Sequence, residues 1–140
     1  MLRKNPGFEV ALNDRECRRL QNLRTSEKAI EITKKYLKSK FPSRQYFIDE
    51  DKKGADLKVI SKSMNRTVKR IEVKGTISDS LKFSQLKISS KKTYESLKNG
   101  VPIYRVMNVS SRKPRIAILY FGKDFQIVCE DRWAVRGVRK

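Results

Sequence analysis

Two short alternating runs constrain this chain more than any other feature. Asp56-Leu57-Lys58-Val59-Ile60 alternates polar and apolar residues, and so does Arg70-Ile71-Glu72-Val73-Lys74. Ser61 to Arg66, with Ser63, Met64 and Asn65 at the centre, reads as the hairpin connection between them. On a strand Glu72 and Lys74 face one side while Ile71 and Val73 face the other. If the runs pair, Asp56 comes to lie beside Glu72 and Lys74. Two carboxylates and an ammonium on one surface suit a magnesium-assisted attack of water on a phosphodiester, which needs hard oxygen ligands and a cation near the reacting oxygens. The competing reading is a surface strand pair with a cross-strand salt bridge of little energetic weight.

The pattern resembles the PD-(D/E)xK nuclease superfamily, with Asp56 at its first acidic position and Glu72-Val73-Lys74 as its E-x-K element. It is more closely similar to the family of nuclease-like domains found at the C-terminus of the plant protein NO VEIN and in many prokaryotic relatives. That family carries a glycine two residues before the aspartate, an I-E-V-K-G core and a later Y-x-V-x-N strand. Here these read Gly54-Ala55-Asp56, Ile71-Glu72-Val73-Lys74-Gly75 and Tyr104-Arg105-Val106-Met107-Asn108, within a similarity running from about Arg24 to Asn108.

The resemblance implies an α/β fold of the restriction-endonuclease-like kind, a mixed β-sheet flanked by helices. It implies one or two Mg2+ ions, with Mn2+ as a substitute, held by Asp56, Glu72 and the Val73 carbonyl, and Lys74 acting on the attacking water. It also implies a glutamate on the helix before the first strand. Ser26-Glu27-Lys28-Ala29-Ile30 is the matching stretch and Glu27 the choice, with Glu31, one helical turn later, as the alternative. The chain departs from the family at Ser89-Ser90-Lys91-Lys92-Thr93-Tyr94, where relatives often carry an acidic residue. Lysines there point to phosphate contact in place of a third acidic ligand.

The charge supports a polyanionic partner. Against 34 Lys and Arg stand 15 Asp and Glu, a net +19. Self-repulsion of that size is relieved by nucleic acid, with DNA the first expectation, and the basic residues are spread along the chain as a broad face. The alternatives are a non-catalytic nucleic-acid-binding module and a small subunit of a restriction or defence system. A homodimer acting on branched DNA is a variant of the nuclease reading. The absence of histidine removes Ser-His-Asp and Cys-His catalysis and the common zinc sites. Cys17 and Cys129 lack metal-ligand spacing and read as packing residues. No apolar run approaches the ~20 residues of a membrane span, and no hydrophobic leader follows Met1. A cytoplasmic location, or a nuclear one in a eukaryote, is the expectation.

At 140 residues one domain is expected, with an irregular basic arm over about 1–12 and a basic tail over about 132–140. Asn13 with Glu16 reads as a capping box opening a first helix that carries Leu20 and Leu23. Ala29, Ile30, Thr33, Tyr36 and Leu37 define a second helix, about Ser26 to Ser39, ended by Phe41-Pro42. Strands are expected at Gln45–Asp49, Asp56–Ile60, Thr67–Lys74, Val101–Val109, Arg115–Phe121 and Phe125–Val128. A further helix starts at Ser89 or Ser90 and closes at Asn99-Gly100. Asp49, within Asp49-Glu50-Asp51, reads as a turn residue with a metal role as the lesser alternative. Gly75 reads as a strand break that opens backbone to a substrate. Trp133 reads as core packing, with base stacking as the alternative.

Overall fold

No glycine or proline interrupts Asp14 to Lys40, and in the computed structural model this whole stretch is one 27-residue helix, α1. The two helices expected on either side of Thr25 are therefore one, because Thr25-Ser26 offers nothing that breaks intrahelical hydrogen bonding. The structure describes residues 14–51, 55–88, 90–129 and 133–138. The N-terminal arm, the Asn13 cap, Gly54, Ser89, Arg132, Arg139 and Lys140 lie outside the described residues.

The strands are β1 (Tyr46–Glu50), β2 (Leu57–Ser61), β3 (Arg66–Gly75), β4 (Lys87–Ile88), β5 (Ile103–Met107), β6 (Arg115–Leu119), β7 (Phe125–Cys129) and β8 (Trp133–Gly137). A second helix, α2 (Lys91–Lys98), is capped by the Ser90 hydroxyl, which accepts from the Thr93 N–H. Asn99 ends it, and Gly100 turns the chain at φ +103°.

Five strands form a mixed sheet in the order β1-β2-β3-β5-β6, in which only β3 and β5 run parallel. A smaller antiparallel sheet has the order β4-β8-β7. The stretch read as a basic tail thus contains a central strand: Trp133–Gly137 pairs with both β4 and β7, and Val135 is buried in the second core. Pairing on both edges and burial of Val135 hold this segment in place among its charges.

The two cores lie on opposite faces of the five-stranded sheet. On one, Ala29 and Leu37 of α1 pack against Leu57, Val59, Ile71, Val73 and Val106, and Tyr36 meets Tyr104 edge-on at 6.0 Å. On the other, Ile103 and Leu119 pack with Leu86, Ile88, Leu97, Phe125 and Val135 from α2 and the small sheet. Register sets Glu72 beside Ile103 and Lys74 beside Arg105, so both site residues of β3 share the second face. Farther along that face Phe47 of β1 is half exposed.

The strand ends just past Lys74 as expected, but Gly75 stands against α1 and not in open backbone. It is the last residue of β3 and pairs with Val106. A Cβ there would stand 2.6 Å from the Ala29 Cβ and 3.1 Å from the Thr25 carbonyl oxygen. Its missing side chain lets α1 approach the end of β3 that carries the candidate site. No described helix is long and apolar enough to cross a membrane.

Candidate functional site

Antiparallel pairing of β2 and β3, with Leu57 opposite Ile71, brings Asp56 to the edge of β3 as the hairpin spacing requires. Asp56 is fixed by its own backbone and by β3: its N–H donates to the Ile71 carbonyl at 2.9 Å, and its Oδ2 accepts from the Val73 N–H at 2.7 Å. In a strand the N–H and C=O of one residue point the same way. The Val73 carbonyl therefore lies on the Asp56 side of β3. One residue back, Glu72 is buried on the other face of the pleat, and Lys74 Nζ sits 3.3 Å from its Oε2.

Burial is the leading influence on both carboxyls. It raises the Glu72 carboxyl, with help from the neighbouring Asp56 charge, to about 7 against an ordinary 4.5, and Lys74 offsets only part of this. Asp56 is raised as well, again by burial first, while the Val73 N–H and Lys74 pull the other way. Two carboxyls that resist ionising near each other are oxygen donors that a hard divalent cation could use, and such a cation would relieve their repulsion.

Glu27 is exposed on α1 and shares with Asp56 a cleft of about 460 Å³, which Glu31, Lys34, Glu50 and Asp51 also line. Glu27 and Glu31 both border it, so the structure does not choose between them. Among the described residues no group of three or more His, Cys, Asp or Glu side chains is gathered closely enough to hold a metal ion. The carboxylates that come together are those of Asp56 and Glu72.

The acidic run at the end of β1 divides its roles. Asp49 is not in a turn: it ends up inside β1, opposite Lys58, with its Oδ1 accepting from the Glu50 N–H. Glu50 lines the cleft. Asp51 is buried and ion-paired with Arg70, and its N–H donates to the Asp56 carbonyl at 3.0 Å, which ties the end of β1 to the site.

Arg105 is the site neighbour that sequence reasoning missed. Only 2% exposed, it donates from Nε to the Leu81 carbonyl at 2.8 Å and from Nη1 to the Gly75 carbonyl at 3.1 Å, while Nη2 is buried without a partner. Burial lowers it to about 10, which leaves it a cation at neutral pH. An arginine inside a fully buried strand was the available signal. No family model, no curated protein and no solved structure matches the chain.

Proposed function

We propose that this chain is a metal-dependent nuclease of the PD-(D/E)xK kind, which hydrolyses phosphodiester bonds in nucleic acid, with DNA as the favoured substrate. The observation that carries the reading is the convergence of Asp56, Glu72 and Lys74 at the end of the β2–β3 hairpin, where burial and then the Asp56 charge raise the Glu72 carboxyl and Lys74 is 3.3 Å from it. Asp56, Glu72 and the Val73 carbonyl would hold Mg2+, which commonly takes one or two carboxylates and completes its shell with water and phosphate oxygens. Bound there, the ion supplies charge neutralisation of the phosphate and a more acidic water.

The chain's own residues do the rest. The Val73 N–H keeps the Asp56 carboxylate in one orientation. Lys74, 3.3 Å from the Glu72 carboxylate, would orient the attacking water and offset charge on the pentacovalent phosphorus. The net +19 charge draws the polyanion in against the local acidity of the site. Glu27 or Glu31 borders the approach from α1.

The test is cleavage of labelled duplex, single-stranded and branched DNA and RNA with Mg2+ or Mn2+. Asp56→Ala and Glu72→Ala are each expected to abolish cleavage and to leave binding intact or slightly tighter, since an acidic group has been removed. Cleavage at the parent rate by either variant refutes the assignment. A non-catalytic nucleic-acid-binding module is favoured by one observation, that no third carboxylate joins Asp56 and Glu72 among the described residues. It is distinguished by salt-sensitive binding without metal-dependent cleavage.

A further inference from the structure

Directly after Lys74 the chain runs through a segment, Gly75 to Leu81, that is tied down along its length. The Thr76 N–H donates to the Val106 carbonyl, the Thr76 carbonyl accepts from the Val109 N–H, and the Ser78 carbonyl accepts from the Asn108 N–H. The Ser78 N–H reaches the Thr76 hydroxyl, and the Ser80 N–H the Ser78 hydroxyl, each at 3.2 Å. Arg105 holds the two ends through the Gly75 and Leu81 carbonyls, and Arg115 holds the middle through the Asp79 carbonyl.

In this fixed frame Ile77 is 67% exposed, more than any other large hydrophobic residue described. A single exposed apolar residue on a loose loop means little. Here the frame fixes the backbone on either side of the isoleucine, which lowers the cost of ordering it against a partner. Position narrows the partner. Ile77 is the third residue after Lys74, so their Cα atoms lie within ~11 Å. That is about three stacked nucleotides along one strand. An isoleucine has no aromatic face on which a free base could stack. A stiff, branched apolar side chain is suited instead to entering between stacked base pairs, as the apolar wedges of DNA-bending proteins do.

We infer that Ile77, presented by the clamped Gly75–Leu81 segment, is a wedge that unstacks a duplex nucleic acid within about three base pairs of the phosphate beside Lys74. The location relative to the cut rests on the nuclease reading; the wedging of a duplex does not. Opening the stack there would let the sugar-phosphate backbone bend toward the site, and would make base pairs that separate easily the preferred place to cut.

The experiment uses the full chain with short duplexes carrying 2-aminopurine at successive positions, in the absence of divalent metal so that nothing is cut. Fluorescence is expected to rise at one or two adjacent positions with the parent. Ile77→Ala should remove the rise with affinity within about threefold of the parent, because most of the attraction is electrostatic. Ile77→Met, long and apolar, should keep it. With Mg2+, Ile77→Ala is expected to cut a fully paired duplex roughly tenfold more slowly, and a mismatch at the unstacked step should bring it back to within about threefold of the parent, since the unstacking has been done in advance. The inference is overturned if the parent unstacks no position, if Ile77→Ala unstacks as the parent does, or if a mismatch leaves its cleavage defect unchanged. Ile77-dependent unstacking without any cleavage upholds the wedge and refutes the nuclease. Asp56-dependent cleavage indifferent to Ile77 does the reverse.

Discussion

Replacing Glu72 by glutamine is expected to stabilise the metal-free protein above neutral pH and to leave it nearly unchanged near pH 4. The Glu72 carboxyl titrates near 7 in the folded chain against an ordinary 4.5. Between those values the folded state keeps a proton that the unfolded state releases, so stability falls as pH rises through this window and levels off above it. A gap of about two and a half pH units, at ~1.4 kcal/mol each, makes ionised Glu72 a liability of ~3 kcal/mol at pH 8. The attraction of Lys74 is already included, since it opposes the rise without cancelling it. Glutamine keeps the shape and removes the charge. For a chain of this length the gain corresponds to on the order of 10 °C in melting temperature. The assay is thermal unfolding of parent and Glu72→Gln in a chelator at pH 4, 6 and 8, then again with Mg2+. The offset should grow across that range, and Mg2+ should raise the parent's melting temperature while doing little for the variant. A variant no more stable than the parent at pH 8, or an offset of equal size at pH 4 and pH 8, would refute the argument that burial and Asp56 strain this carboxylate.

Lys74→Ala should slow single-turnover cleavage by ~10² to 10³ with little change in binding, whereas Lys69→Ala, on the face shared with Ile71, should do neither; equal effects on rate would show Lys74 to be an ordinary surface cation. Binding should weaken by ~10³ to 10⁵ between ~50 and ~200 mM salt if 6 to 10 phosphates, roughly, are contacted, and a flat titration would remove nucleic acid as the partner. Gly75→Ala should destabilise the fold by ~1 to 3 kcal/mol through overpacking against Ala29, with part of the loss recovered in the Gly75→Ala/Ala29→Gly double variant; additive losses in denaturant unfolding would show that α1 does not rest on this glycine.

The residue order alone determined the β2–β3 hairpin and the face on which Glu72 and Lys74 sit, because strand alternation has a period of two and fixes relative orientation locally. It also determined the helical face of Ala29, Thr33 and Leu37, all fully buried, since a helix repeats every three to four residues. The boundaries expected for β1, β2 and β3 differ from the observed ones by about one residue. Where the packing partner is distant in sequence, local pattern had no access to the answer. Gly75 reads as open backbone until Ala29 is found 2.6 Å from where its Cβ would be. Arg132 to Lys140 reads as a tail until β8 is found between β4 and β7. Asp51 and Arg70, nineteen residues apart, become a pair only when β1 and β3 are brought together across β2. The titration of Glu72 belongs to the same class, because a carboxyl's ionisation depends on how much water surrounds it and which charges stand beside it. Sequence supplies the groups, and only the folded chain supplies the desolvation and distances that turn two ordinary acids and a lysine into a strained site.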